Sequence, residues 1–308
     1  MSRFKEIDLG SLQRYSISDR HSKVRSQDFA KTGRVDTAEF LASLPDILKA
    51  SDLKELLRHC KAARQNGRAI IIGLGGHVIK CGLAPLLIEM MNAGFVDAFV
   101  CNGSVTIHDF EIAMYGSTSE DVSSALADGS FGMATETCDG INDIIAKAAG
   151  EQLGYGEALG QYLAANASHK DLSLLAAAHT AGIPVCVHVA MGTDIVHQHN
   201  SANGAAIGEC SLRDFRILCE RMSNLGEGGV FINFGSAVIV PEVFLKALTV
   251  ARNIFGEIGG FYTAVFDMHM HYRPAENIVN RPTQNSGKGY YFIGHHEIMI
   301  PLFIKSLL

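Results

Sequence analysis

The turn Gly73-x-Gly75-Gly76 follows the apolar run Ala69–Ile72 and precedes a helical pattern. Glycines at such a turn let the backbone come close to a ligand, and the amides of a helix start can hold a phosphate. The spacing is G-x-G-G and not the G-x-G-x-x-G dinucleotide fingerprint. Gly192-Thr193-Asp194 follows another apolar run, and an aspartate at a strand tip can accept two hydrogen bonds from a ribose diol or serve as a turn or helix cap. Gly235-Ser236 follows a third run, Gly229–Phe234, where close approach at the glycine is again expected. Asp267-x-His269-x-His271 would share one face of a strand, and His197, His199, His295, His296 and Glu297 could join it around a metal. Polar lining of a cofactor site is the preferred reading of these histidines, and no metal site is expected. Lys288 sits in a loop before the apolar flank Tyr290–Ile293. A catalytic lysine needs burial or nearby cations to hold its amine neutral.

Several classes are excluded. The net charge is −6, so there is no basic field for nucleic acid or an anionic membrane. No apolar stretch nears the roughly 20 residues that span a bilayer. The N-terminal run has no apolar core of a signal peptide. Seven scattered cysteines without a C-x-x-C pair point to free thiols in a reducing cytoplasm.

The elements that must position these residues follow from periodicity. With 308 residues and 47% hydrophobic content, the chain can bury a large core. Residues 1–36 are polar and read as an N-terminal arm, and residues 37–308 as a single α/β domain. Leu53, Leu56, Leu57 and Cys60 mark an amphipathic helix over roughly 51–66. Ile79, Leu83, Leu86, Leu87 and Met90 mark one face of another. Strands are expected at Ala69–Ile72, Val96–Val100, Ile183–Ala190, Gly229–Phe234, Tyr262–Phe266 and near Tyr290. Strands alternating with helices argue for an open, doubly wound, mostly parallel sheet, whose ligands sit beyond the carboxyl ends of the strands.

Two resemblances sharpen this reading. Ile70–Gly73, Val78–Gly82, Val96–Val100, Asn102–Thr106 and Asp109 resemble deoxyhypusine synthases. Val96–Glu111, with its His108-Asp109 pair, is similar to the NAD-binding domain of ornithine cyclodeaminases of the arginine dihydrolase type. The resemblance implies a Rossmann-like domain with NAD held by Gly73, Gly75, Gly76, His77, Asn102, Gly103, Ser104, Thr193, Asp194, Gly235, Ser236, Gly294 and His295. It implies that Lys288, in Gly287-Lys288 after Arg281-Pro282, forms an imine with the substrate. It makes His108 or Asp109 an acid/base group near the nicotinamide, and it implies a homotetramer.

The departures bear on the substrate. The family's tryptophan position is Ser286, and this chain has no Trp. The loop before Arg281-Pro282 keeps only Glu276 as an acid, and Val240-Pro241-Glu242 replaces the family's histidine. A polycation needs several carboxylates to replace its water. The expectation is therefore an NAD-dependent enzyme acting on a small amine or amino acid, and not authentic deoxyhypusine synthesis. The alternatives are an ornithine cyclodeaminase-like enzyme, with Arg273 or Arg281 clamping a carboxylate, or a non-catalytic nucleotide- or metal-binding protein.

Overall fold

The structure, a computed structural model, describes residues 36–308, so the expected N-terminal arm lies outside the described residues except for Asp36. Contacts divide the chain after Ser51. The first unit contributes α1 (Thr37–Ser43), whose cap Asp36 accepts from the Glu39 amide, and the opening turn of α2 (Leu48–Gln65).

The second unit is built on six strands: β1 (Ile70–Leu74), β2 (Ala98–Asn102), β3 (Val185–His188), β4 (Val230–Phe234), β5 (Tyr262–Asp267) and β6 (Lys288–Ile293). Every pairing is parallel and the order is β3-β2-β1-β4-β5-β6. All residues of β1 and β4 are buried, as continuous apolar runs covered on both faces require. One flanking layer packs Phe244, Ala247, Leu248 and Ala251 against Phe231 and Val265. The sheet is fully parallel, a stricter form of the mostly parallel sheet read from the sequence.

The helix expected after β1 is broken in two. Gly82 takes a φ of +76° and separates α3 (Gly76–Lys80) from α4 (Ala84–Asn92), so Ile79 and Leu87 are buried from different helices. After β2 come α5 (Gly103–Tyr115), α6 (Val122–Asp128), α7 (Thr135–Glu151), α8 (Tyr155–Asn166) and α9 (Leu174–Ala181). After β3 comes α10 (Gly204–Arg221), and α11 (Ile239–Phe255) follows β4. A short α12 (Tyr272–Pro274) runs into a π-helical turn through Asn280, and α13 (His296–Leu307) closes the chain.

The chain winds outward from β1 to β3 on one side and from β4 to β6 on the other. The direction reverses between β1 and β4, and the crevice at that reversal opens beyond the carboxyl ends of the strands.

Candidate functional site

The crevice is built from glycines, but the structure assigns them a different task from the one expected. A Cβ on Gly75 would fall on the carbonyl oxygen of Gly235, one on Gly76 on the Ser104 hydroxyl, and one on Gly103 on the Asp194 carboxylate. These glycines let the loops after β1, β2, β3 and β4 close on one another; no ligand is needed to explain them. The Gly75 amide is already spent, donating to Phe234 at 2.8 Å. Gly235 has a φ of +68°, and a Cβ there would lie 2.6 Å from the His296 ring. Ser236 Oγ accepts from the Val240 amide at 3.2 Å, and Asn233 Nδ2 donates to the Ser236 carbonyl at 2.9 Å. The turn after β4 is thus tied down from inside.

Asp194 closes the same edge after β3. Its side chain is buried against the start of α5, and burial pushes its carboxyl up to about 6. His197 lies 4.0 Å away, with Nδ1 accepting from the Gly192 and Asp194 amides at 3.1 and 3.3 Å. Asn102, the last residue of β2, accepts from Ser104 Oγ at 3.0 Å, and Thr193 Oγ1 donates to the Ala190 carbonyl at 2.7 Å.

Beside Asp194 opens a cavity of about 600 Å³, lined by Lys80, Ser104, His108, Glu111, Thr118 and Asp194 among others. His108 and Glu111 lie one turn apart on α5 and so share a face. Thr118 Oγ1 donates to Glu111 Oε2 at 2.5 Å and lies 2.7 Å from His108 Nδ1. A threonine hydroxyl has one proton, and it is committed to Glu111, so toward His108 it must accept. The imidazole proton therefore sits on Nδ1, which leaves the Nε2 lone pair as the basic site. Thr137 Oγ1 holds the other oxygen of Glu111 at 3.0 Å. Burial lowers the His108 pKa, which keeps the ring neutral and able to take a proton.

Asp109, expected as the alternative acid/base, does not reach this cavity. It is fully buried and accepts from Ser173 Oγ at 2.5 Å and from the Leu174 and Leu175 amides at 2.7 and 3.2 Å. It caps the start of α9 from across the fold, and burial raises its pKa to about 6.

Lys288 is not brought to the site either. It is the first residue of β6, while Gly294 and His295 follow its last, so they stand at opposite ends of one strand. Lys288 Nζ pairs with Glu55, and with Asp52 at 3.4 Å, and the Glu55 partnership raises its pKa. That is the reverse of what an imine-forming amine needs. Because β6 runs parallel to the other strands, its first residue lies at the end of the sheet away from the crevice.

β5 ends at Asp267, so His269 and His271 lie in the following loop and the strand-face spacing does not apply. Arg273 pairs with Glu242 at 3.3 Å, and Arg281 donates to Asn277 at 2.9 Å, so both are engaged around the π-helical turn. Lys80, Glu111 and Thr118 were missed in the sequence. The shared helix face of His108 and Glu111 could have signalled the second, whereas Thr118 arrives from a loop.

Fold and crevice define an all-parallel Rossmann-like α/β protein. Within it, residues 54–150 match the family model of the arginine dihydrolase ArgZ-like C-terminal domain, Rossmann fold. That stretch contains β1, β2, α5 and the His108–Thr118–Glu111 network.

No curated protein sequence matches the chain. Among solved structures, the fold is similar to ArgZ, an arginine dihydrolase from the ornithine–ammonia cycle in cyanobacteria, at TM-score 0.51 and 13% identity over 86% of this chain and 33% of that one. It is similar to AgrE in a ternary complex with ornithine and NAD+, at TM-score 0.52 and 10% identity over 83% of this chain and 32% of that one. It is also similar to a proposed deoxyhypusine synthase from Entamoeba histolytica, at TM-score 0.51 and 11% identity over 88% and 93% of the two chains. The chain thus spans about a third of the length of ArgZ and AgrE. At these identities the likeness shows the fold. Among the described residues no helix is long and apolar enough to cross a membrane.

Proposed function

We propose that this protein binds NAD across the β1/β4 crevice and dehydrogenates the amine-bearing carbon of a small amine or amino acid in the adjoining cavity. The observation that carries the reading is the His108–Thr118–Glu111 network, which leaves a neutral imidazole with its free lone pair on the cavity wall. The topology supports a nucleotide at that crevice as well. The strand order is that of dinucleotide-binding sheets, and Asp194 keeps acceptor oxygens at the edge where a ribose diol would lie. Gly76, Ser104 and Asp194 would hold the cofactor, with its nicotinamide toward His108 and its adenosine toward Gly235, Gly294 and His295.

NAD when bound supplies a two-electron acceptor for the carbon that carries the amine. His108 Nε2 takes the proton that the substrate nitrogen must lose as that carbon is oxidised, and the Glu111 charge stabilises the imidazolium through Thr118. Glu111 and Glu120 give the cavity an acidic wall suited to an ammonium group, while Lys80 at its rim suits a carboxylate. That pairing favours an amino acid such as ornithine over a polyamine.

The test is titration calorimetry of NAD and ADP-ribose into wild-type protein and Asp194→Asn, with ornithine and spermidine added next. Micromolar binding of both nucleotides, weakened about tenfold or more by Asp194→Asn, supports the cofactor reading. No binding of either nucleotide overturns it.

A further inference from the structure

We propose that His77, Cys81 and Glu297 form a binding site for a thiophilic divalent metal ion such as zinc. His77 Nε2 and Cys81 Sγ are 3.2 Å apart, and with a Glu297 carboxylate oxygen the donor atoms all lie within 4.8 Å of one another. Bonds of about 2.0 Å to nitrogen and oxygen and about 2.3 Å to sulfur in a tetrahedral ion place donors roughly 3.5 Å apart. Small side-chain rotations therefore close the site. Thiolate and carboxylate together balance the charge of the ion, and nitrogen with sulfur is the donor mix that selects zinc over magnesium or calcium.

The scaffold suits this task. His77 lies in α3, and Cys81 is its C-cap, whose amide donates to the His77 carbonyl at 2.9 Å. Glu297 stands in the first turn of α13. Both elements are held, α3 by the packing of Gly76 on Ser104 and α13 by the packing of His296 on Gly235. Cys81 is also the one cysteine that is not fully buried, so an ion can reach it.

An independent feature points the same way. His296, next to Glu297, is 1% exposed, and neither of its ring nitrogens has a hydrogen-bond partner. Its ring centroid lies 5.7 Å from that of His77. A buried imidazole without a partner is costly. Three protein ligands leave a fourth position open, and a water bound there would offer a partner to one of the two His296 ring nitrogens.

The experiment is titration of the metal-free full-length protein with Co2+ and then Zn2+, followed by absorbance and by metal content after dialysis. One equivalent of Co2+ is expected to give a thiolate charge-transfer band and the visible bands of a tetrahedral ion, both displaced by Zn2+. Cys81→Ser is expected to lose the charge-transfer band and bind Zn2+ about 100-fold or more weakly, and Glu297→Gln about tenfold more weakly, with unchanged circular dichroism. His77→Gln, at an exposed position, serves in place of Cys81→Ser should that variant not fold. Absence of the charge-transfer band in wild type, or Zn2+ binding undiminished in Cys81→Ser or His77→Gln, overturns the proposal.

Discussion

His108 Nδ1 and Thr118 Oγ1 lie 2.7 Å apart, and because the Thr118 proton is given to Glu111, the histidine must be the donor. This one relationship fixes the tautomer and leaves Nε2 free. It joins α5, which follows β2, to the loop before α6, so the base is assembled from two places in the chain.

Replacing His108 by Asn should therefore lower kcat by about 10²–10⁴-fold on the true substrate while leaving the dissociation constant of NAD unchanged. Thr118→Val should have a smaller effect on kcat, because the imidazole survives but loses the group that fixes its tautomer. Steady-state kinetics with binding measured separately checks both.

The pH profile should follow the same residue. Burial lowers the His108 pKa below the ordinary 6.5 of histidine, so the ring stays neutral as the pH falls through that value. Activity should accordingly persist below pH 6.5 and fall only under more acidic conditions. Thr118→Val should move this acid limb, which a merely structural role would not.

Asp109 should behave as a structural group. Asp109→Ala removes the acceptor for the Ser173 hydroxyl and for two amides at the start of α9, and the amides are left buried. A loss of about 2–4 kcal/mol is expected from the missing cap and the unsatisfied donors. Urea denaturation measures it.

Asp194 should make stability depend on pH in an unusual direction. Its folded pKa is raised to about 6 from the ordinary 3.8 by burial. The folded chain thus binds this proton more tightly than the unfolded chain. The stabilisation is complete below pH 3.8 and is lost as the pH rises through about 6. Wild type should lose on the order of 2–3 kcal/mol relative to Asp194→Asn across that window, with no further change above it. A flat difference between the two curves would remove the buried-carboxylate account of Asp194.

Much of the fold was legible in the sequence. Val230–Phe234 and Ile70–Leu74 read as strands because continuous apolar runs suit a sheet covered on both faces, and the glycines between strands and helices marked the crevice. The division of one expected helix at Gly82 was not legible, since Ile79 and Leu87 keep a helical spacing across the break. At the site, His108 and Asp109 are neighbours in sequence, but successive residues of a helix point about 100° apart, so they meet different surroundings on α5. One reaches the cavity, while the other is consumed by a helix start more than sixty residues away. Lys288 is read through the Gly287-Lys288 dipeptide, and only the strand that it opens shows that it must lie at the amino end of the sheet. Partners that arrive from outside the helix, Thr118 from the next loop and Ser173 from 64 residues away, leave no periodic trace.

The most direct measurement mixes the protein with NAD and ornithine and follows the near-ultraviolet absorbance of reduced nicotinamide, for wild type and for His108→Asn. Reduction of bound NAD by wild type, with intact NAD binding but no reduction in His108→Asn, is the expected result. Equal reduction by both proteins, or no NAD binding by wild type, would contradict the assignment of His108 as the base of an NAD-dependent amine oxidation.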